Sequence, residues 1–126
     1  GKKPMSTMSP TIIFDKDDDL FLITGSPGGS DIPAAILRVI TGVIDFELDI
    51  GEATMLPRIH KDWPYTGLEH ERALSRDTIR RLKSMGHKTE YETTIGSTQS
   101  IHVVEGINNG FADLRRPNAG VAVQTN

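Results

Sequence analysis

Two short runs of consecutive apolar, β-branched or aromatic residues, Thr11-Ile12-Ile13-Phe14 and Leu20-Phe21-Leu22-Ile23-Thr24, are separated by five charged residues, Asp15 to Asp19. This pattern predicts a β-hairpin with a solvated turn, and the density of apolar side chains predicts strands buried on both faces. Gly25-Ser26-Pro27-Gly28-Gly29-Ser30 follows as a turn whose glycines permit backbone angles that other residues resist. Beyond it the period changes. Ser30 or Asp31 is a candidate helix cap, Pro33 suits a first helical turn, and apolar residues continue to Leu48. They lie nearly all around the helical wheel, which predicts a central, buried helix.

Asp49 and Glu52 have capping-box spacing for a helix of one or two turns that Pro57 ends. Arg58-Ile59-His60 reads as a short strand, Lys61 to Thr66 as a loop, and Glu69-His70-Glu71 as part of a strand. Ser75 caps a helix with Ile79, Leu82 and Met85 on one face, and Gly86 closes it. Lys88 to Thr93 and Ser100 to Val104 read as strands. Asn108-Asn109-Gly110 is expected to be a hairpin turn, and Val121-Ala122-Val123 an added edge strand. No repeat or linker divides the chain, so the class is α+β, one domain over residues 1–126.

At 126 residues the chain is long enough to bury a real core. Hydrophobic residues make up 37% and charged residues 25%, which excludes a disordered tail. Fourteen Lys and Arg against seventeen Asp and Glu give a net charge of -3, which argues against nucleic acid and anionic lipid as partners. The absence of cysteine excludes a disulfide framework, a thiolate zinc site and a cysteine nucleophile. The apolar stretch Ile32 to Leu48, broken by Arg38, Thr41, Asp45 and Glu47, falls short of a membrane span. No apolar h-region follows Gly1-Lys2-Lys3-Pro4, so no signal peptide is read there. Gly1 in place of an initiator methionine reads as a processed chain or a piece of something longer.

The strand, glycine turn and helix carry the most informative chemistry. Backbone N–H groups at such a turn point outward, and the helix dipole favours negative charge there. The turn could hold a phosphate, a carboxylate or the oxyanion of an acyl-transfer intermediate, or serve only to pack a strand against a helix. A nucleotide P-loop fits poorly, because no Lys follows the glycines and Asp31 adds a repelling charge. The hydroxyls of Ser6 and Thr7 precede the first strand and can bind a polar ligand or satisfy loop backbone groups. Asp15, Asp17, Asp18 and Asp19 fail the EF-hand pattern and read as a turn. His60, His70, His87 and His102 are scattered; they read as surface or loop residues, with no metal site and no cofactor assigned. Arg76 to Lys83 is the wet face of the Ser75 helix.

Four segments, read in order, resemble the gamma-glutamyltranspeptidase family. They are residues 1–11 (Gly1 to Thr11, containing Ser6-Thr7), Thr24-Gly25-Ser26-Pro27-Gly28-Gly29-Ser30, Glu52 to His60 (containing Pro57-Arg58-Ile59-His60), and Ile95-Gly96-Ser97-Thr98-Gln99-Ser100-Ile101. Ala112-Asp113-Leu114-Arg115-Arg116-Pro117 completes the resemblance, which fits the C-terminal part of the family's small subunit. It implies the C-terminal portion of a four-layer αββα N-terminal nucleophile hydrolase fold. The implied chemistry is cleavage of γ-glutamyl amides such as glutathione through a γ-glutamyl-threonine intermediate, resolved by water or by an amino acid or peptide. On this resemblance Gly28 and Gly29 form the oxyanion hole, and Ser6 and Thr7 bind the donor's α-carboxylate. The nucleophilic threonine would lie upstream of Gly1, so this chain alone is expected to be inactive. Its implied partners are the rest of the small subunit and the large subunit of one self-cleaving proenzyme. The implied compartment is the periplasm or the exterior, with the cytoplasm left open.

Three departures from the family pattern bear on the site. Thr7 replaces the usual second Ser and adds a methyl group expected to crowd the pocket. Asp31 stands where many members carry Arg, which makes the field near the oxyanion hole less favourable. Leu114 interrupts the usual Asp-Pro-Arg and is expected to loosen a turn. Two other readings stay open: an acylase or amidohydrolase of the same fold acting on another acyl group, and a catalytically silent binding or scaffold homologue.

Overall fold

The computed structural model describes residues 1–2, 6–64 and 67–122. Lys3, Pro4, Met5, Thr66 and Val123, which the sequence readings include, lie outside them. The described chain is α+β, in the order β1 (Thr11–Phe14), β2 (Leu20–Gly25), a 3-10 turn (Gly29–Asp31), α1 (Ile32–Ile44), α2 (Ile50–Met55), β3 (Ile59–His60), β4 (Gly67–His70), α3 (Arg76–Ser84), β5 (Lys88–Tyr91), β6 (Gln99–Val104) and β7 (Ile107–Ala112).

One antiparallel sheet has the order β1-β2-β6-β7, with Ile23 opposite both Ile12 and Ile101. The hairpin turn between β1 and β2 is held by the Asp15 carboxylate, which accepts from the N–H groups of Asp17 and Asp19 at 2.8 and 3.0 Å. A smaller sheet, β3-β4-β5, pairs β4 and β5 in parallel, with α3 as the crossover between them. α1 and α2 cover the larger sheet. Leu22, Val39, Val43, Ile50 and Ala53 form the buried centre, flanked by Ile13, Phe21, Ile40, Leu48 and Phe111. Burial of this apolar surface is the main force holding helices to sheet.

Several expectations are corrected. β1 is not buried on both faces: it is an edge strand, and Ile12 and Phe14 stand more than half exposed. α1 stops at Ile44 rather than Leu48, because Glu47 takes a left-handed φ of 54° and turns the chain back. That reversal lets the Leu48 N–H reach the Gly42 carbonyl at 3.1 Å and returns Leu48 to the core. α1 is also not buried all around, since Leu37 and Ile44 are exposed. The second hairpin turns at Glu105-Gly106, not at Asn108-Asn109-Gly110, which lie within β7. Glu105 and Gly106 both have positive φ (51° and 77°), the type I′ geometry whose twist matches paired strands. Val121 and Ala122 form no strand; the Val121 side chain instead lies over Gly110.

The remaining helix readings hold. The Asp49 carboxylate accepts from the Glu52 N–H at 2.9 Å, and Ser75 Oγ accepts from the Thr78 N–H at 3.1 Å. α3 turns Arg76, Arg80, Arg81 and Lys83 to solvent.

Candidate functional site

The glycine turn joins β2 to α1. Gly28 has φ 142° and Gly29 φ 61°, conformations that side-chain-bearing residues rarely adopt. Among the described residues neither glycine N–H has a protein acceptor, whereas the carbonyl of Gly28 accepts from Asp31 and that of Gly29 from Ile32. The two N–H groups therefore stand at the positive end of a thirteen-residue helix. Neither Ser30 nor Asp31 caps it with a side chain, contrary to expectation. The chain enters α1 through a tight 3-10 turn that aims both side chains away: Ser30 toward Asp62, and Asp31 toward the N–H of Gly96.

A second glycine turn supports the first. Gly96 (φ 67°) approaches so closely that a Cβ there would lie 2.6 Å from the Ala35 Cβ. A Cβ on Gly28 would in turn lie 3.2 Å from the Gly96 Cα. Ser26 Oγ accepts from the Ser97 N–H at 2.9 Å and donates to the Pro27 carbonyl at 2.7 Å, locking the two turns together. Below them Thr24 and Ser100 share a buried hydroxyl bond of 2.8 Å across β2 and β6. Thr7 Oγ1 donates to the Gly29 carbonyl, so the structure brings two of the four predicted site residues into direct contact. Ser6 does not join them through its hydroxyl, which accepts from the Met8 N–H at 3.2 Å.

Sequence reasoning missed the group that fixes the second turn. Arg58 and Asp113, both with wholly buried side chains, form an ion pair at 2.8 Å. Arg58 also donates to the carbonyls of Ile95 and Thr54 and to Thr98 Oγ1, each at 3.0 Å. Glu71 accepts from the Ile95 N–H at 3.1 Å and the Arg58 N–H at 2.9 Å, and Asp113 accepts from the Thr98 N–H at 3.0 Å. Arg115 closes the set with a forked pair to Glu71 (2.6 and 2.7 Å) and a bond to the Leu56 carbonyl at 2.8 Å. Two guanidiniums and two carboxylates thus clamp Ile95 and Thr98, the residues flanking Gly96-Ser97. The turn at Leu114 is not loosened: Leu114 faces solvent while the Asp113 carboxylate accepts from the Arg115 N–H at 3.0 Å. Arg58 directly after Pro57, and Asp113 and Arg115 in a segment with no helical or strand period, are the sequence signal for this network.

The network sets an acid limit on stability. Burial opposes ionisation of Glu71, yet the hydrogen bonds from Arg115 and from the Ile95 and Arg58 N–H groups hold its carboxyl below the usual glutamate range. Asp113 is held low in the same way, against burial, by the Arg115 N–H and the Arg58 and Arg115 charges. A depressed carboxyl stabilises the fold fully above its unfolded pKa and loses that contribution as pH falls through its folded pKa. Urea midpoints of the full-length protein are therefore expected to fall steadily once pH drops below about 4.3, the free glutamate value. Glu71→Gln should flatten that fall, and an unchanged slope would remove Glu71 from the account.

His87 lies in the loop before β5, as expected, but the other three histidines are strand residues rather than the surface or loop residues the sequence suggested. His70 is buried with Nδ1 3.2 Å from the Glu71 carbonyl, and His102 stacks edge-on against Phe21 at 4.8 Å. His60 sits beside Asp31, Asp62 and Glu69, with Nε2 3.0 Å from Asp62 Oδ1 and 3.7 Å from Asp31 Oδ1. Burial and the neighbouring carboxylates hold Asp31 and Glu69 above their ordinary pKa values.

Residues 1–123 match the sequence profile of the family described as gamma-glutamyltranspeptidase. The chain belongs to the gamma-glutamyltranspeptidase family. It is 44% identical over 103 residues to the glutathione hydrolase proenzyme of Escherichia coli K12, covering 82% of this chain and 18% of that protein. It superposes on a mutant of Helicobacter pylori gamma-glutamyltranspeptidase with a TM-score of 0.85 and 36% identity, covering 91% of this chain and 64% of that one. A cephalosporin acylase from Bacillus halodurans, 24% identical, shares the fold with a TM-score of 0.80 over 88% of this chain and 21% of its own. The chain thus spans about a fifth of the length of the glutathione hydrolase proenzymes of Escherichia coli and Bacillus subtilis that it matches. Its α+β fold is the C-terminal small-subunit portion of a gamma-glutamyltranspeptidase, within the N-terminal nucleophile hydrolases. Among the described residues no helix is long and apolar enough to cross a membrane.

Proposed function

We propose that this chain supplies the oxyanion hole and part of the donor-carboxylate site of an enzyme that cleaves γ-glutamyl amides. The observation that carries the reading is the pair Gly28-Gly29, held at positive φ at the start of α1 with two N–H groups that have no acceptor among the described residues. In this reading the hydroxyl of a threonine outside this chain attacks the γ-carbonyl carbon of a glutathione-like donor. A C–O bond forms, the carbonyl π pair moves to oxygen, and the Gly28 and Gly29 N–H groups stabilise the resulting oxyanion. The threonine's proton passes to the departing amine as the C–N bond breaks, leaving a γ-glutamyl ester that water or an amino acid then resolves.

The Ser6 and Thr7 hydroxyls hold the donor's α-carboxylate. The Thr7 hydroxyl has one proton, which the Gly29 carbonyl accepts in this structure, so holding the carboxylate turns that proton from the carbonyl to the donor and links carboxylate binding to the turn. Asp31 does not face the oxyanion side unopposed, because its carboxylate is turned toward the Gly96 N–H and lies beside His60. The exposed apolar side chains Ile12, Phe14, Leu37 and Phe46 fit a piece that further small-subunit and large-subunit residues cover. The same reading leaves the 126-residue chain inactive alone and implies a periplasmic or secreted enzyme.

The test is release of chromophore from a γ-glutamyl anilide by the full-length protein after self-cleavage, with the 126-residue chain as control. Release by the full-length protein alone is the expected result. Release of other acyl groups but not γ-glutamate would favour an acylase of the same fold. Release by the 126-residue chain would mean that its nucleophile lies within it.

A further inference from the structure

The carboxylates around His60 lie beside the glycine turns, Asp31 facing the Gly96 N–H and Asp62 facing Ser30, but they are no part of the Arg58 network and the proposed acyl transfer does not use them. Asp31 comes from the start of α1, His60 from β3 and Glu69 from β4, where it pairs with His60 across the ladder. Each offers one ligand atom, and the three atoms lie within 4.8 Å of one another. The His60 side chain is only 9% exposed. Its Nε2 is buried and makes no aligned hydrogen bond, although Asp62 Oδ1 lies 3.0 Å away. A buried imidazole nitrogen aimed among three carboxylates without a hydrogen bond calls for an explanation.

We propose that Asp31, His60 and Glu69, with Asp62 as a fourth donor, form a binding site for a divalent transition cation such as Zn2+ or Mn2+. One imidazole nitrogen with carboxylate oxygens and no thiolate is the donor set that suits these ions. Calcium, which takes oxygen ligands, has no use for the imidazole. Metal–ligand bonds of about 2.0–2.2 Å place tetrahedral ligand atoms about 3.4 Å apart, so closing the site around Zn2+ needs the widest pair to draw in by up to about 1.4 Å. Asp31, Asp62 and Glu69 crowd carboxylates around one imidazole, and a divalent cation offsets that negative charge. Three separate elements hold the donors, so a bound cation would tie the start of α1 to the smaller sheet. The proposal does not depend on the γ-glutamyl reading.

The full-length protein, stripped with EDTA and dialysed, is titrated with ZnCl2 in a calorimeter. One equivalent should disappear or weaken at least about tenfold in His60→Gln, and likewise in Asp31→Asn and Glu69→Gln. Asp17→Asn, in the acidic hairpin turn, should bind as the unaltered protein does. Affinity and stoichiometry that are the same in all four variants would overturn the site. Should a variant misfold, anomalous diffraction from ZnCl2-soaked crystals of the unaltered protein decides. A peak within bonding distance of His60 Nε2 is expected, and a map without one there refutes the proposal.

Discussion

Arg58→Ala is expected to destabilise the protein by about 3–5 kcal/mol, the cost of breaking a buried ion pair by removing one partner. The Arg58 and Asp113 side chains are both fully buried at 2.8 Å, so removing the guanidinium leaves the Asp113 carboxylate buried without its closest countercharge. The same change strips a donor from the carbonyls of Thr54 and Ile95 and from Thr98 Oγ1. Arg58→Lys should recover only part of the loss, because a single ammonium lacks the planar fork that reaches these acceptors together. Urea unfolding of the full-length protein at pH 7 measures both. A cost for Arg58→Ala below about 1 kcal/mol, the range of surface pairs, would show that the network contributes little. Arg58 also bonds on either side of Gly96, so variants that still fold should show weaker turnover than their stability explains.

Gly28→Ala should lower kcat for γ-glutamyl anilide release by about 10²–10³-fold, the usual cost of losing an oxyanion donor. The N–H itself survives the substitution; what changes is where it points. Alanine resists a φ of 142°, and its Cβ would press on the Gly96 Cα at 3.2 Å, where backbone cannot yield cheaply. Gly29→Ala should do less harm, since φ 61° is a left-handed conformation that alanine reaches at about 1–2 kcal/mol and its Cβ would meet open space. The defect should appear in kcat more than in KM, because the oxyanion exists only in the transition state and intermediate. Steady-state kinetics on self-cleaved variants with matched melting curves provide the check. Equal kcat for Gly28→Ala and the unaltered enzyme would end the oxyanion assignment.

Local signals carried most of the secondary structure. The paired apolar runs of β1 and β2, the Asp49 and Ser75 caps and the glycine turn before α1 are each set by residues within a few positions of one another. Two of the errors share one cause. Asn108-Asn109-Gly110 has good turn chemistry, but six paired residues between β6 and β7 place the reversal at Glu105-Gly106 instead. Apolar residues run on to Leu48, but Glu47 reverses the chain so that Leu48 can rejoin the core. In both places tertiary pairing overrode a local preference worth about 1 kcal/mol.

The sequence by itself determined the family, through short motifs kept in order along the chain, and with it the candidate oxyanion glycines. Turn glycines and caps act through local backbone geometry, which a linear reading can recover. Only the tertiary structure decided that Gly96 buttresses Gly28, that Arg58, Glu71, Asp113 and Arg115 form one buried network, and that His60 meets Asp31 and Glu69. These partners come from different elements, and most are separated by tens of residues. Charges that read as solvated along the chain become paired only when folding removes the water between them, since desolvation makes an unpaired buried charge intolerable.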